Sequence, residues 1–308
     1  MNDEFPYRDG NALWAAVTAR AKTQALETGV PAGELVRRFV IDRFLARVFA
    51  LPGDEWVLKG GNATLTRVRD ARATKDIDLA AEISDSSAAH AKLQDATMID
   101  LNDHFRFVVT GSRATSGGAM QPGIAGIKVT IEAYCGAKRR DRFSVDVVSG
   151  SVMSTEPDMR SRPSLVPAIP PVSVRLYPVV DHIADKLCAT QSKYGTAGDQ
   201  PSSRVRDLVD LVVFALTQPV DGRALSDAIA AEWSHRRLLG SPFFDPPKEW
   251  GRTYAQLARK VPACGDTVTF DAAVSLVTDF LSPALDRTAA GRIWSPARRD
   301  WAPATESA

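Results

Sequence analysis

The stretch VLKGGNATLTRVRDARATKDIDLA, residues 57–80, decides the reading of this 308-residue chain. Its apolar run ends in the pair Gly60-Gly61, and fifteen residues after Gly61 comes Asp76-Ile77-Asp78. On a strand, residues i and i+2 face the same side, so the two carboxylates project together while Ile77 and Leu79 turn to the core. Two like charges that close raise one another's pKa unless a cation lies between them. A hard divalent ion, Mg2+ or Mn2+, resolves the conflict because it takes carboxylate oxygens and keeps its other positions for water and phosphate.

A third acid belongs to the set. Asp146 lies in SVDVV, on a strand expected to neighbour the first in a small antiparallel sheet, with Val145 and Val147 facing the core and Asp146 the other side. Three acids on adjacent strands can hold two metal ions about 3.5–4 Å apart and stabilise both ends of an in-line phosphoryl displacement. The glycines supply the complementary half. Gly60 and Gly61 let backbone N–H groups approach phosphate oxygens, and the helix expected over NATLTRV aims its positive end at the same anion. Asn62, at the N-cap, adds an amide donor. Each feature alone has an ordinary explanation as a turn, a solvated edge strand or a surface acid. In this order, with each acid on an expected strand, they define a site for metal and phosphate.

Composition bounds the rest. With 44% apolar and 24% charged residues and a net charge of +1, the chain is of ordinary globular type, long enough for two modest domains or one large one. No run approaches the roughly 18 apolar residues that cross a bilayer. MNDEFPYRDGNALW has neither the basic start nor the apolar core of a signal peptide, so a cytoplasmic protein without membrane contact is expected. Cys135, Cys188 and Cys264 are odd in number and far apart, and the four histidines form no H-E-x-x-H pair, which disfavours disulfides and zinc. Basic clusters stand at 37–38, 67–75, 138–142, 204–206 and 235–237. Any one is more often a solvated face, but several flank the acidic motif and suit a polyanionic substrate.

Periodicity places helices over about 11–28, 31–50 and 86–102, and strands at 56–59, 75–83, 106–111, 127–134 and 142–150. The last two strands are joined as a hairpin through CGAKRRD. TSGGAMQPGIAG, 115–126, is a glycine-rich loop without the lysine and hydroxyl of a Walker motif. STEPDMRSRPSLVPAIPP, 154–171, carries five prolines and reads as a linker. Helices are expected beyond it, over about 178–193, 202–217, 223–237, 252–260 and 270–285. The organisation expected is an α/β domain over 1–155, a linker over 156–172 and a helical domain over 173–308.

LKGGNATL and RATKDIDLA together resemble the first motif of the nucleotidyltransferase superfamily with a DNA polymerase β-like core. The form is most similar to the AbiEii/AbiGii toxin family, which includes the mycobacterial MenAT toxins. Two later family motifs have counterparts: PVVDHIADKLCA with Lys186, and RVRDLVDL with Arg206, Asp207 and Asp210. The likeness spans about residues 56–215, with the motifs in family order. It departs at Asn62, where the family usually has Ser or Thr.

The resemblance implies an α+β fold: a polymerase β-like core with a small mixed or antiparallel sheet, followed by a helical C-terminal lobe. It implies the toxin of a toxin–antitoxin pair, an Mg2+-dependent nucleotidyltransferase moving NMP from an NTP to the 3′ end of tRNA and so blocking aminoacylation and translation. Asp76 and Asp78 then bind metal, and Asp146 joins them and activates the attacking hydroxyl. Gly60, Gly61 and Asn62 hold the β,γ-phosphates, and Arg72 and Thr74 are placed for further phosphate contacts. Lys186 stabilises charge on the triphosphate and Asp207 positions the nucleotide, while Arg206 can pair with Asp210 at i+4. The implied partners are tRNA and an antitoxin encoded nearby. Read from its helix alone, Lys186 flanks the apolar face with its charge exposed, and an ordinary boundary lysine is the commoner case. Two other functions stay open: nucleotidyl transfer to a protein or a small molecule such as an aminoglycoside, and an inactive nucleotide-binding or antitoxin-binding module.

Overall fold

A computed structural model describes residues 5–51, 53, 56–83, 86–116, 125–193 and 200–304. The glycine-rich loop at 115–126 lies partly outside the described residues. Two helices come first, α1 (Gly10–Thr28) and α2 (Ala32–Val48). The Asp9 carboxylate accepts from the Asn11 and Ala12 amides and caps α1, which ends at Gly29 with φ 73°. Strand β1 (Trp56–Lys59) passes directly into α3 (Gly60–Arg67), and β2 (Ile77–Ala81) follows a short loop. After α4 (Ser86–Met98) come three long strands, β3 (Phe105–Ser116), β4 (Ala125–Cys135) and β5 (Lys138–Ser149). The hairpin expected between β4 and β5 is present, and its turn is only Gly136-Ala137.

With β6 (Asp158–Arg162) and β7 (Val172–Leu176), the described residues form a mixed sheet of order β3-β4-β5-β2-β1-β7-β6. β5 does neighbour β2, but the pair is parallel rather than antiparallel, with Asp78 opposite Asp146. The reason is topological. α4 returns the chain so that β3 starts in the sense of β2, and two antiparallel pairings, β3 with β4 and β4 with β5, restore that sense in β5. The stretch 156–172 contributes β6, paired antiparallel with β7. Its prolines at 163, 167, 170 and 171 fall between the two strands, where no ladder amide is required.

The helices beyond are α5 (Val179–Gln191), α6 (Val205–Thr217), α7 (Gly222–His235), α8 (Gly251–Ala258) and α9 (Phe270–Leu285). A small sheet of β8 (Val220–Asp221), β9 (Arg292–Ser295) and β10 (Asp300–Pro303) closes this lobe. Those strands are too short for a period to declare itself. They are held by Trp294, fully buried, whose indole N–H donates to the Ala215 carbonyl at 2.7 Å.

Two cores result. One gathers Ile77, Leu79, Val129, Ile131, Phe143 and Val145 from one sheet face against Phe44 and Leu45 of α2 and Leu93 of α4. The other packs Val212, Phe214, Val277, Phe280 and Trp294 among the C-terminal helices. Each such side chain contributes about 1.5–3 kcal/mol relative to exposure. The three cysteines are free and buried. No helix among the described residues is long and apolar enough to cross a membrane.

Candidate active site

Period two decides which groups leave the core. Ile77 and Leu79 are fully buried while Asp78 faces the other side of the sheet, and Asp146 emerges likewise between buried Val145 and Val147. The parallel register then sets Asp78 beside Asp146. Burial pushes the Asp78 carboxyl above its usual range; the Lys186 ammonium opposes this and the Asp146 charge adds to it. Asp76 lies in the bend just before β2, rather than on the strand, and its side chain is 54% exposed.

β4 adds a residue that has no mark in the sequence beyond its polar position in an alternating strand. Lys128, opposite Asp146, donates to Asp146 Oδ2 at 2.9 Å and lies 4.0 Å from Asp76 Oδ1. An ammonium thus bridges two of the three acids. Among the described residues, no group of three or more Asp, Glu, His or Cys side chains is arranged as it stands to hold a metal ion. The donor chemistry does fit a hard divalent cation: all three groups are carboxylates, two sit on adjacent strands, and a positive charge is already seated between Asp76 and Asp146.

The glycine pair is required by close approach. Gly60 has φ 59°, and a Cβ there would lie 1.8 Å from Asp78 Oδ2; a Cβ on Gly61 would meet the Thr74 side chain at 2.8 Å. The start of α3 is therefore pressed against the acid loop. Asn62 does not reach into the cleft as expected of a phosphate ligand. It is 1% exposed, and its amide donates to the Asp76 carbonyl at 2.9 Å, because its place in the first turn of α3 turns it inward beneath that loop. The Asn62 carbonyl accepts from Arg162 of β6 at 3.2 Å, and Arg162 is paired with Asp42 of α2 at 2.6 Å. Neither residue of that pair is legible as part of a site in the sequence.

The later motifs form a buried ion network. Lys186 donates to Asp207 Oδ1 at 2.6 Å and lies 2.9 Å from Asp210 Oδ2, and it is 4% exposed rather than reaching into solvent, since α5 packs its boundary face on the first turns of α6. Burial pulls the Lys186 ammonium down, but Asp207 and Asp210 outweigh it and hold its pKa above the usual lysine value. Arg72 is likewise engaged inside the protein. It makes a two-pronged pair with Asp210, Nε to Oδ1 at 2.7 Å and Nη2 to Oδ2 at 2.8 Å, while it also lines the cleft. That pair also displaces the expected Arg206–Asp210 bridge; Arg206 is exposed at the cleft wall. Arg204 pairs with the second oxygen of Asp207.

A cleft of about 730 Å3 unites these groups. Gly60, Gly61, Thr74, Asp76, Asp78 and Asp146 line one side, and Lys186, Arg204, Arg206 and Asp207 the other. Lys59, at the end of β1, enters the same cleft with its ammonium 4.0 Å above the Tyr177 ring. A second cavity of about 750 Å3 runs along α4 and β3 and contains none of these residues.

Comparison with known families defines the class: a nucleotidyltransferase of a type IV toxin–antitoxin family. The matching family model is described as nucleotidyl transferase AbiEii toxin, type IV TA system, and covers residues 43–289. The chain belongs to the AbiEii family. Its fold is similar to that of MenT4, the nucleotidyltransferase toxin Rv2826c from Mycobacterium tuberculosis H37Rv, at 13% identity and a TM-score of 0.52 over 88% of this chain and 97% of that one. JHP933 from Helicobacter pylori matches at 12% identity and a TM-score of 0.42 over 83% of this chain and 96% of that one. No curated protein matches.

Proposed function

We propose that the protein is the toxin of a toxin–antitoxin pair and transfers NMP from an NTP to the 3′ end of tRNA, using Mg2+ or Mn2+. The observation that supports this best is the side-by-side register of Asp78 and Asp146, set against a glycine turn that leaves no room for a Cβ. Asp76, Asp78 and Asp146 are the ligands for the divalent ion. When bound, the ion supplies Lewis-acid charge to the phosphoryl oxygens.

The remaining roles fall to the chain itself. The amides at Gly60 and Gly61, with the Thr74 hydroxyl, face the β,γ-phosphates. Lys186 offers its charge to the triphosphate, and Asp207 orients both that lysine and the nucleotide. Asp146 takes the proton of the attacking hydroxyl. Arg72 and Asn62 act at one remove, Arg72 by fixing Asp210 and Asn62 by fixing the Asp76 backbone. The sheet lobe, which takes in β6 and β7 as well as residues 1–155, carries the acids, and the helices from α5 onward carry Lys186 and Asp207; the two meet across the cleft. A cognate antitoxin encoded nearby is the partner, and the cytoplasm is the site of action.

The deciding experiment incubates the protein with labelled NTP, total RNA and lysate protein. Label is expected in tRNA, and none after periodate oxidation of the terminal ribose. Label confined to protein overturns the proposal. Asp76→Ala is expected to abolish both transfer and growth arrest; a variant as toxic as the wild type removes catalysis from the account.

A further inference from the structure

A cavity of about 350 Å3 adjoins the cleft and shares with it Asp76 and no other described lining residue. Its remaining wall includes Arg37 of α2, Lys75 beside Asp76, Thr130 of β4, and Arg142 and Ser144 of β5. Basic clusters far apart in sequence, at 37–38, 67–75 and 138–142, meet at this point.

The alternation of β5 explains much of that convergence. With Phe143, Val145 and Val147 turned to the core, Arg142, Ser144 and Asp146 form one row on the open face. The register sets them opposite Glu132, Thr130 and Lys128 of β4. A polar ramp therefore runs from the acid set outward to a basic rim. Arg113 of β3, opposite Lys128 and exposed, adds a guanidinium to the same face. Arg37 is matched by Asp141 at 2.8 Å, and Glu132 is engaged by Arg139 and by the Tyr134 hydroxyl. Lys75 and Arg142 are both exposed, and Asp76 is the sole carboxylate among the described residues lining the cavity.

We infer that this cavity receives the acceptor as the 3′ end of a nucleic-acid strand, with Lys75 and Arg142 on its backbone phosphates and the Thr130–Ser144 hydroxyls beside its terminal sugar. The inference rests on the transfer proposed above and adds the place where the second substrate enters. The donor NTP occupies the cleft, the acceptor the adjoining cavity, and the two meet at Asp76. There the terminal oxygen forms a bond to the α-phosphorus as the bond from that phosphorus to the bridging oxygen breaks. Pyrophosphate leaves, and the hydroxyl proton passes to Asp146. A cationic acceptor such as an aminoglycoside is opposed by Lys75, Arg142 and Arg113, whereas a polyanion is steered in.

The test measures fluorescence anisotropy of a short 5′-labelled single-stranded RNA with a free 3′ hydroxyl, and separately calorimetric binding of NTP. Both are done on the full chain and on Lys75→Glu/Arg142→Glu. Both positions are exposed, so the fold is expected to survive, as a thermal melt will verify. RNA affinity is expected to fall about tenfold or more, and the log–log salt slope to shrink by about 1.4, roughly 0.7 for each phosphate no longer neutralised. NTP affinity stays at the wild-type value, and Lys75→Arg/Arg142→Lys retains RNA binding. An unchanged RNA affinity and slope overturns the inference; if the wild type still labels tRNA, the transfer stands and the acceptor enters elsewhere. Equal losses of RNA and NTP binding overturn it too, because the effect is then not local to this cavity. Labelling of protein alone removes the transfer and the acceptor assignment together.

Discussion

The side-chain amide of Asn62 donates to the main-chain carbonyl of Asp76 at 2.9 Å. That bond ties the glycine turn to the loop carrying the first acid, and through the Asn62 carbonyl and Arg162 it is anchored to Asp42 on α2. A hydroxyl at this position, as the family resemblance leads one to expect, is one bond shorter. The amide extends the arm and serves the acid loop from beneath rather than the phosphate from above.

Asn62→Asp is isosteric but presents an oxygen to the Asp76 carbonyl. Stability is expected to fall by about 1–3 kcal/mol, the cost of a buried acceptor left unpaired. Turnover should drop about 100-fold, the scale of a misplacement near 1 Å. Denaturant unfolding and steady-state kinetics check both. A positioning role lowers kcat and leaves KM for NTP little changed; the opposite pattern would assign the amide to the phosphates.

Gly60→Ala places a methyl where Asp78 Oδ2 now lies and asks alanine to adopt φ 59°. The left-handed backbone alone costs about 1–2 kcal/mol. The displaced carboxylate should abolish transfer even in protein that remains folded by circular dichroism. Gly33→Ala, whose Cβ would meet nothing within 4 Å, is the control and is expected to be neutral or slightly stabilising.

Lys186→Met leaves Asp207 and Asp210 without the cation they share. Removing one partner from a buried ion cluster costs about 3–5 kcal/mol. Lys186→Met/Asp207→Asn should regain part of that stability in urea unfolding without regaining transfer. Recovery of transfer in the double variant would show that Lys186 has only a structural task.

Asp103 and Asp210 should both contribute to acid stability. Burial pushes the Asp103 carboxyl up, but Arg47 and Arg43 outweigh it and hold it below the ordinary carboxylate value. Lys186 and Arg72 do the same for Asp210 against its burial. A carboxyl lowered by folding contributes stability that is present above the ordinary value and lost as pH falls through the lowered one. Asp42 has the opposite sign: burial raises it despite Arg162, so its contribution is present in acid and lost as pH rises. Asp103→Asn is therefore expected to flatten the decline in stability below about pH 4, measured by urea unfolding across an acid pH series.

Much of the architecture is legible in local pattern. WVLK, the hairpin strands and the helices near 179–191, 205–217 and 270–285 stand where their periods place them. β6, β7 and the short strands β8 to β10 are not legible, since a few residues amid prolines or after a helix display no period and form strands only because a partner edge is present. Among the candidate site residues, Gly60, Gly61, Arg72, Thr74, Asp76, Asp78, Asp146, Lys186 and Asp207 gather at one cleft. Asn62 points its donor into the protein, and Arg72, at the cleft wall, gives Nε and Nη2 to Asp210.

The sequence by itself determined the alternation that turns Asp78 and Asp146 away from the core, because strand geometry acts within a few residues. The need for glycine beside them comes from the tertiary approach of Asp78 and Thr74. Only the tertiary structure decided which charges meet. Arg72 reaches Asp210 across 138 positions of chain, and Lys128 reaches Asp146 across a hairpin. A long charged side chain takes the nearest compensating partner that packing delivers, and packing depends on strand order and helix docking, which no local pattern encodes.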